Sequence, residues 1–164
     1  MNNFWDELKD ERVESVESNS NTQTFRDNLT AQGEIGEMMV TMDLTRKGFI
    51  VSTPETASSP YDKIVDIDSI LKKIQVKSIK LSSTGIIIVP LVNRKNSSVA
   101  KNGRGQTHSY VKLVDYIAVW IKNTDEIYYI PTEDLPKDKS VAGFTTKYHT
   151  GNSKYPLITK YENL

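Results

Sequence analysis

The segment Lys73-Ile74-Gln75-Val76-Lys77-Ser78 alternates polar and apolar residues. In an extended strand Ile74 and Val76 face one way, and Lys73, Gln75 and Lys77 face the other, with Gln75 and Lys77 roughly 7 Å apart. Asp62 opens the preceding apolar run, and Glu37 stands upstream at the border of a helical stripe. Two carboxylates, the Gln75 amide oxygen and the Val76 backbone carbonyl form an oxygen donor set of the kind that Mg2+ or Mn2+ takes. Such a cation can neutralise a phosphodiester and lower the pKa of a water. Lys77 would then position the attacking water and balance the developing negative charge. Glu37 would bind the cation directly or hold one of its waters.

The same spacing also fits a solvent-facing sheet surface. In that case Asp62 is turn chemistry, and Glu34 and Glu37 are first-turn carboxylates facing a helix dipole.

The elements that would position these residues follow from periodicity. A helix is predicted over about Thr30–Lys47, with Ile35, Met38, Met39 and Met42 as its buried stripe, and Gly48 stops it. Strands are predicted over Phe49–Thr53, Tyr61–Ile67, Leu71–Leu81, Ile86–Val92, Val114–Ile121 and Ile127–Ile130. Asp68-Ser69 turns the second strand into the third, and Thr132–Leu135 forms a capped helical turn. The Lys- and Tyr-rich tail beyond it has no clear pattern. The order is α+β, with a mixed central sheet flanked by helices in an α/β/α-like arrangement.

At 164 residues, one domain is expected, with a short extension. That extension is residues 1–28, holding seven acidic and three basic side chains, a balance of −4. Phe4, Trp5 and Leu8 would anchor this arm, a flexible linker or a contact for a protein partner, ahead of the domain at 29–164. No cysteine is present, which excludes disulfides, thiolate zinc sites and thiol catalysis. Two histidines far apart, His108 and His149, supply a triad or a His-rich metal site poorly. No apolar run reaches about 18 residues, so no membrane span is expected.

Residues 72–112 carry nine Lys or Arg and no Asp or Glu. This one-signed stretch suits phosphate backbones, though a solvated basic face has the same composition. Its Asn93–Gln106 part is predicted to be a flexible loop, with Arg94, Lys95, Lys101 and Arg104 contacting mainly DNA phosphates. His108 follows the loop and is expected at the surface or a strand edge.

Gly33-Glu34-Ile35-Gly36-Glu37, Leu44, Gly48-Phe49-Ile50-Val51, Ser59-Pro60-Tyr61-Asp62-Lys63-Ile64-Val65 and Ile74-Gln75-Val76-Lys77-Ser78, in that order, resemble the core of PD-(D/E)xK nucleases. More narrowly, they resemble the group-I-intron-associated homing endonucleases of that superfamily. Asp115–Trp120 and Tyr128–Pro131 resemble that group's last strands, so the likeness spans about residues 33–136.

The resemblance implies a restriction-endonuclease-like fold and hydrolysis of DNA with Mg2+ or Mn2+. Glu37 and Asp62 become the acidic catalytic residues, with Glu34 in reserve for Glu37. Lys77 becomes the catalytic lysine and Ser78 its neighbour toward DNA. Lys73 and Lys80 join the loop residues on the DNA side. Gln75 departs from the Asp or Glu usual in the superfamily, although glutamine is usual in the homing branch. Double-strand cleavage implies a homodimer or homotetramer. The setting implied is the cytoplasm of a bacterial or phage-infected cell. Two alternatives are a Holliday-junction resolvase or repair nuclease of the same fold, and a non-catalytic nuclease-fold protein that binds DNA or another protein.

Overall fold

The computed structural model describes residues 28–56, 58–94, 107–146 and 154–164. The chain falls into two units, residues 1–32 and 33–164. Of the first, residues 28–32 are described, so the expected arm, with Phe4, Trp5 and Leu8, lies outside the described residues. Asn28 Oδ1 accepts the Thr30 backbone N–H at 2.9 Å, which caps the single α-helix among the described residues, α1 (Leu29–Arg46). Because α1 begins at Leu29, its first turn holds no acidic residue. Glu34 and Glu37 therefore lie past the first turn.

The end of α1 is closed by glycine geometry. Gly48 has φ +89°, the Gly48 N–H donates to Thr45 O, and the Phe49 N–H donates to Leu44 O, both at 3.0 Å. This is a Schellman motif, and Phe49 packs on the same cluster as Leu44.

Five strands form the main sheet: β1 (Ile50–Ser52), β2 (Lys63–Ile67), β3 (Ile70–Ile79), β7 (Tyr116–Ile121) and β8 (Glu126–Pro131). They lie side by side in that order. The β3–β7 pair is parallel, from Ile74↔Tyr116 to Ile79↔Ile121, and the other pairs are antiparallel, so the sheet is mixed. The β2–β3 hairpin closes at Ile67↔Ile70 through Asp68 and Ser69, with φ of 51° and 67°. Left-handed conformation at both positions defines the tight turn whose twist matches paired strands.

One sheet face carries Val65, Ile74, Val76, Ala118 and Tyr129, which pack with Val40 and Leu44 of α1. Of the predicted buried stripe Ile35, Met38, Met39 and Met42, Met39 is half-buried, while Ile35, Met38 and Met42 are 41, 70 and 40% exposed. The helix meets the sheet instead through Val40 and Leu44, which are fully buried, and through Gly36, whose lack of a side chain allows a close approach. The opposite face carries Ile117, Val119, Ile121, Tyr128 and Ile130. No α-helix covers it among the described residues. A two-stranded ribbon packs there: β4 (Ile86–Pro90) and β9 (Val141–Thr145), which bury Ile87, Val89, Ala142 and Phe144. The apolar strand predicted at Ile86–Val92 thus leaves the main sheet, and the tail supplies its partner.

Between β4 and β7, a hairpin of β5 (Val92–Arg94) and β6 (Thr107–Ser109) brackets the basic segment. Its strands pair from Val92↔Ser109 to Arg94↔Thr107. Among the described residues, no helix is long and apolar enough to cross a membrane.

Candidate active site

The alternation expected for β3 is present. Ile74 and Val76 are buried beneath α1, while Gln75 and Lys77 share the opposite face with their register partners Ile117 and Val119. Asp62 stands one residue before β2, tied by its backbone N–H to Ile74 O at 2.8 Å.

Asp62 Oδ2 accepts the Val76 backbone N–H at 2.7 Å and a short hydrogen bond from Gln75 Nε2. The same amide nitrogen donates to Val76 O at 3.3 Å. Asp62, Gln75 and Val76 O therefore converge on one point. Exchanging the two ends of the Gln75 amide, whose oxygen and nitrogen differ only by hydrogen-bond assignment, makes it a convergence of three oxygens. Those donors fit a hard divalent cation. Among the described residues, no three His, Cys, Asp or Glu side chains gather at one point. Gln75 presents an uncharged amide to Asp62, and Glu37 acts on Asp62 through space.

Glu37 is approached by a lysine that neither motif nor strand alternation singles out. Lys63 is 5% exposed. Its Nζ donates to Glu37 Oε2 at 3.0 Å and to Thr53 Oγ1 at 3.2 Å. Glu34, the reserve for Glu37, is exposed on α1. Gly36 explains the glycine ahead of Glu37: a Cβ there would collide with Ser78 Oγ and come within 3.3 Å of Trp120. The missing side chain lets α1 settle on β3 and β7, one residue from Glu37. Ser78 thus lies at the helix–sheet contact, on the face away from Gln75 and Lys77.

Lys77 Nζ stands 4.0 Å from the ring centroid of Tyr110, a cation–π contact. Burial pushes Lys77 down to about 8, against an opposing pull from Asp62. Burial raises Asp62, and Glu37 raises it further, while the Val76 N–H, Lys77 and Lys63 pull it down. Tyr110 is also raised, first by burial and then by Asp62. Its backbone N–H donates to Leu91 O at 2.9 Å, so it sits at the base of the β5–β6 hairpin. No sequence pattern marks Tyr110 as a site residue, because only the hairpin brings it to Lys77.

Of the expected DNA-side residues, Lys73 and Lys80 are exposed, and Lys73 Nζ lies 5.5 Å from the Tyr61 ring centroid. Arg94 is in β5 and His108 in β6. Lys95, Lys101 and Arg104 lie outside the described residues.

The mixed sheet thus sets an acidic residue, Asp62, just before β2 and the pair Gln75 and Lys77 on one face of β3. The sequence matches the PD-(D/E)XK endonuclease family over residues 28–161, and the chain belongs to that family. Its fold matches the solved structure of a bacterial homing endonuclease, I-Ssp6803I, with a TM-score of 0.64 and 21% identity. The match covers 82% of this chain and 88% of that one. No match was found among curated protein sequences.

Proposed function

We propose that this chain is a divalent-cation-dependent endonuclease of the homing type, cutting double-stranded DNA as a homodimer or homotetramer. The observation that carries the proposal is the convergence of Asp62, Gln75 and the Val76 carbonyl beside Lys77 on one sheet face. Asp62, Gln75, Val76 O and Glu37 would hold Mg2+ or Mn2+. When bound, the cation neutralises phosphate charge and acidifies a water. Asp62 and Gln75 fix where the scissile phosphate is received. Lys77, a cation beside Asp62, can orient the attacking water and meet the charge that develops. Tyr110 holds Lys77 in place from the hairpin.

Lys73, Lys80, Arg94, Lys95, Lys101 and Arg104 would supply the phosphate contacts. Ser78 is assigned to helix packing.

The test is plasmid cleavage by the purified protein with Mg2+, beside Asp62→Asn and Lys77→Met. The parent should cut, and each variant should lose about 100-fold or more in rate. No cleavage by the parent on duplex, branched or native-locus DNA would overturn the proposal.

A further inference from the structure

Lys63 is the most buried charged group at the site, and the family pattern gives it no role. Its side chain is 7% exposed, against 35% for its partner Glu37. It projects from β2 beside Ile74, its register partner, toward the α1 face of the sheet. Thr53 Oγ1 takes a second donor of the ammonium at 3.2 Å. Two hydrogen bonds hold an ammonium whose own side chain is almost wholly shielded from solvent, so its charge is a fixed part of the site.

The consequence is a balance of charge. Glu37 and Asp62 bring two negative charges, Lys63 and Lys77 two positive ones, and Gln75 none. The field of Lys63 reaches both carboxylates, Glu37 by contact and Asp62 through space. A site with no net negative charge holds a hard divalent cation poorly, because the gain must exceed the cation's hydration. A phosphodiester carries the one negative charge that would tip the balance.

We propose that Lys63 is a positioning residue that clamps Glu37 and makes cation binding conditional on DNA. The free protein binds the cation weakly, and the arriving phosphate completes the site. This rests on the metal-dependent reading above. By linkage, the cation then strengthens DNA binding by the same factor that DNA strengthens cation binding.

The test titrates Mn2+ into the free protein by calorimetry, with wild type, Lys63→Met and Lys63→Arg compared. Removing a fixed charge a few ångströms from the donors should tighten free-state Mn2+ binding about tenfold or more for Lys63→Met. Lys63→Arg should stay close to wild type. Lys63→Gln, which keeps a donor for Glu37, serves if the methionine variant fails to fold by circular dichroism. A second arm measures binding of a linear duplex by fluorescence anisotropy with and without Ca2+. Wild type should gain affinity with Ca2+, and Lys63→Met should gain less. Mn2+ affinity of Lys63→Met within twofold of wild type in the free state, with wild type still responding to Ca2+ on DNA, overturns this inference alone. No cation uptake by any form, with or without DNA, overturns the metal-dependent reading as well.

Discussion

Lys77 shows how the chemistry of the site bears on stability. Its ammonium is lowered from 10.5 to about 8 by burial, so the folded protein holds that proton less tightly than the unfolded chain does. Between about pH 8 and 10.5 the unfolded chain binds more protons, and stability rises with pH across that window. At neutral pH the buried charge therefore costs up to about 3 kcal/mol. Lys77→Met removes the cost but leaves Asp62 without its positive neighbour. It should stabilise the cation-free protein by about 1–2 kcal/mol at pH 7, with the gain fading toward pH 10.5. Urea unfolding at the two pH values checks this, and a loss of stability at pH 7 would refute it. Legibility at this scale divides by the kind of contact. Gln75 and Lys77 are readable because strand alternation alone places them on one face. Lys63 is not, because a lysine beside an aspartate reads as solvated until a helix is laid over it.

The helix α1 depends on two glycines with opposite roles. At Gly33 a Cβ would meet nothing within 4 Å, whereas at Gly36 it would collide with Ser78 Oγ. Gly33→Ala should therefore stabilise the protein by about 0.5–1 kcal/mol through helix propensity. Gly36→Ala should destabilise it by about 1–3 kcal/mol, since the helix must lift from β3. Adding Ser78→Ala should restore part of that stability, a coupling that a double-mutant cycle measures by urea unfolding. Gly36→Ala as harmless as Gly33→Ala would refute the close approach. The helix is legible as a helix, its glycine stop included, but its buried side and its Asn28 cap are not. Periodicity favours the stripe Ile35, Met38, Met39 and Met42, and the packing is made one step round the helix, by Gly36, Val40 and Leu44. β9 is also hidden, because Val141–Thr145 pairs with a strand about fifty residues earlier, and local pattern does not report so distant a partner.

Across the whole molecule, charge is sorted by position along the chain. The acid-free stretch 72–112 begins on β3 and ends at the 3-10 turn Tyr110–Lys112, so it includes Gln75, Lys77 and Tyr110. The β5–β6 hairpin pairs Arg94 with Thr107, so the basic segment between them begins and ends at neighbouring positions. Changing Arg94, Lys95, Lys101 and Arg104 together to Ala should weaken duplex binding at least about tenfold near 0.1 M salt. The slope of log affinity against log salt should fall by roughly 0.9 for each phosphate that the variant no longer neutralises. Filter binding across a salt series checks both, and an unchanged slope would remove the segment from the DNA interface. The mixed sheet is legible from the order of the elements. The ribbon on its second face is not, since an apolar run such as Ile86–Val92 suits either sheet equally well.

Asp68 and Ser69 lie at the end of the β2–β3 hairpin away from Asp62, with five paired positions between this turn and the site. One residue added there and taken into the strand would slide the register and exchange the faces of β3, turning Ile74 and Val76 to where Gln75 and Lys77 now stand. The turn thus acts as a register lock for chemistry it never touches. Descendants of this chain can lose the active site one substitution at a time. A slip of β3 at this turn would instead remove Gln75 and Lys77 from it in a single step.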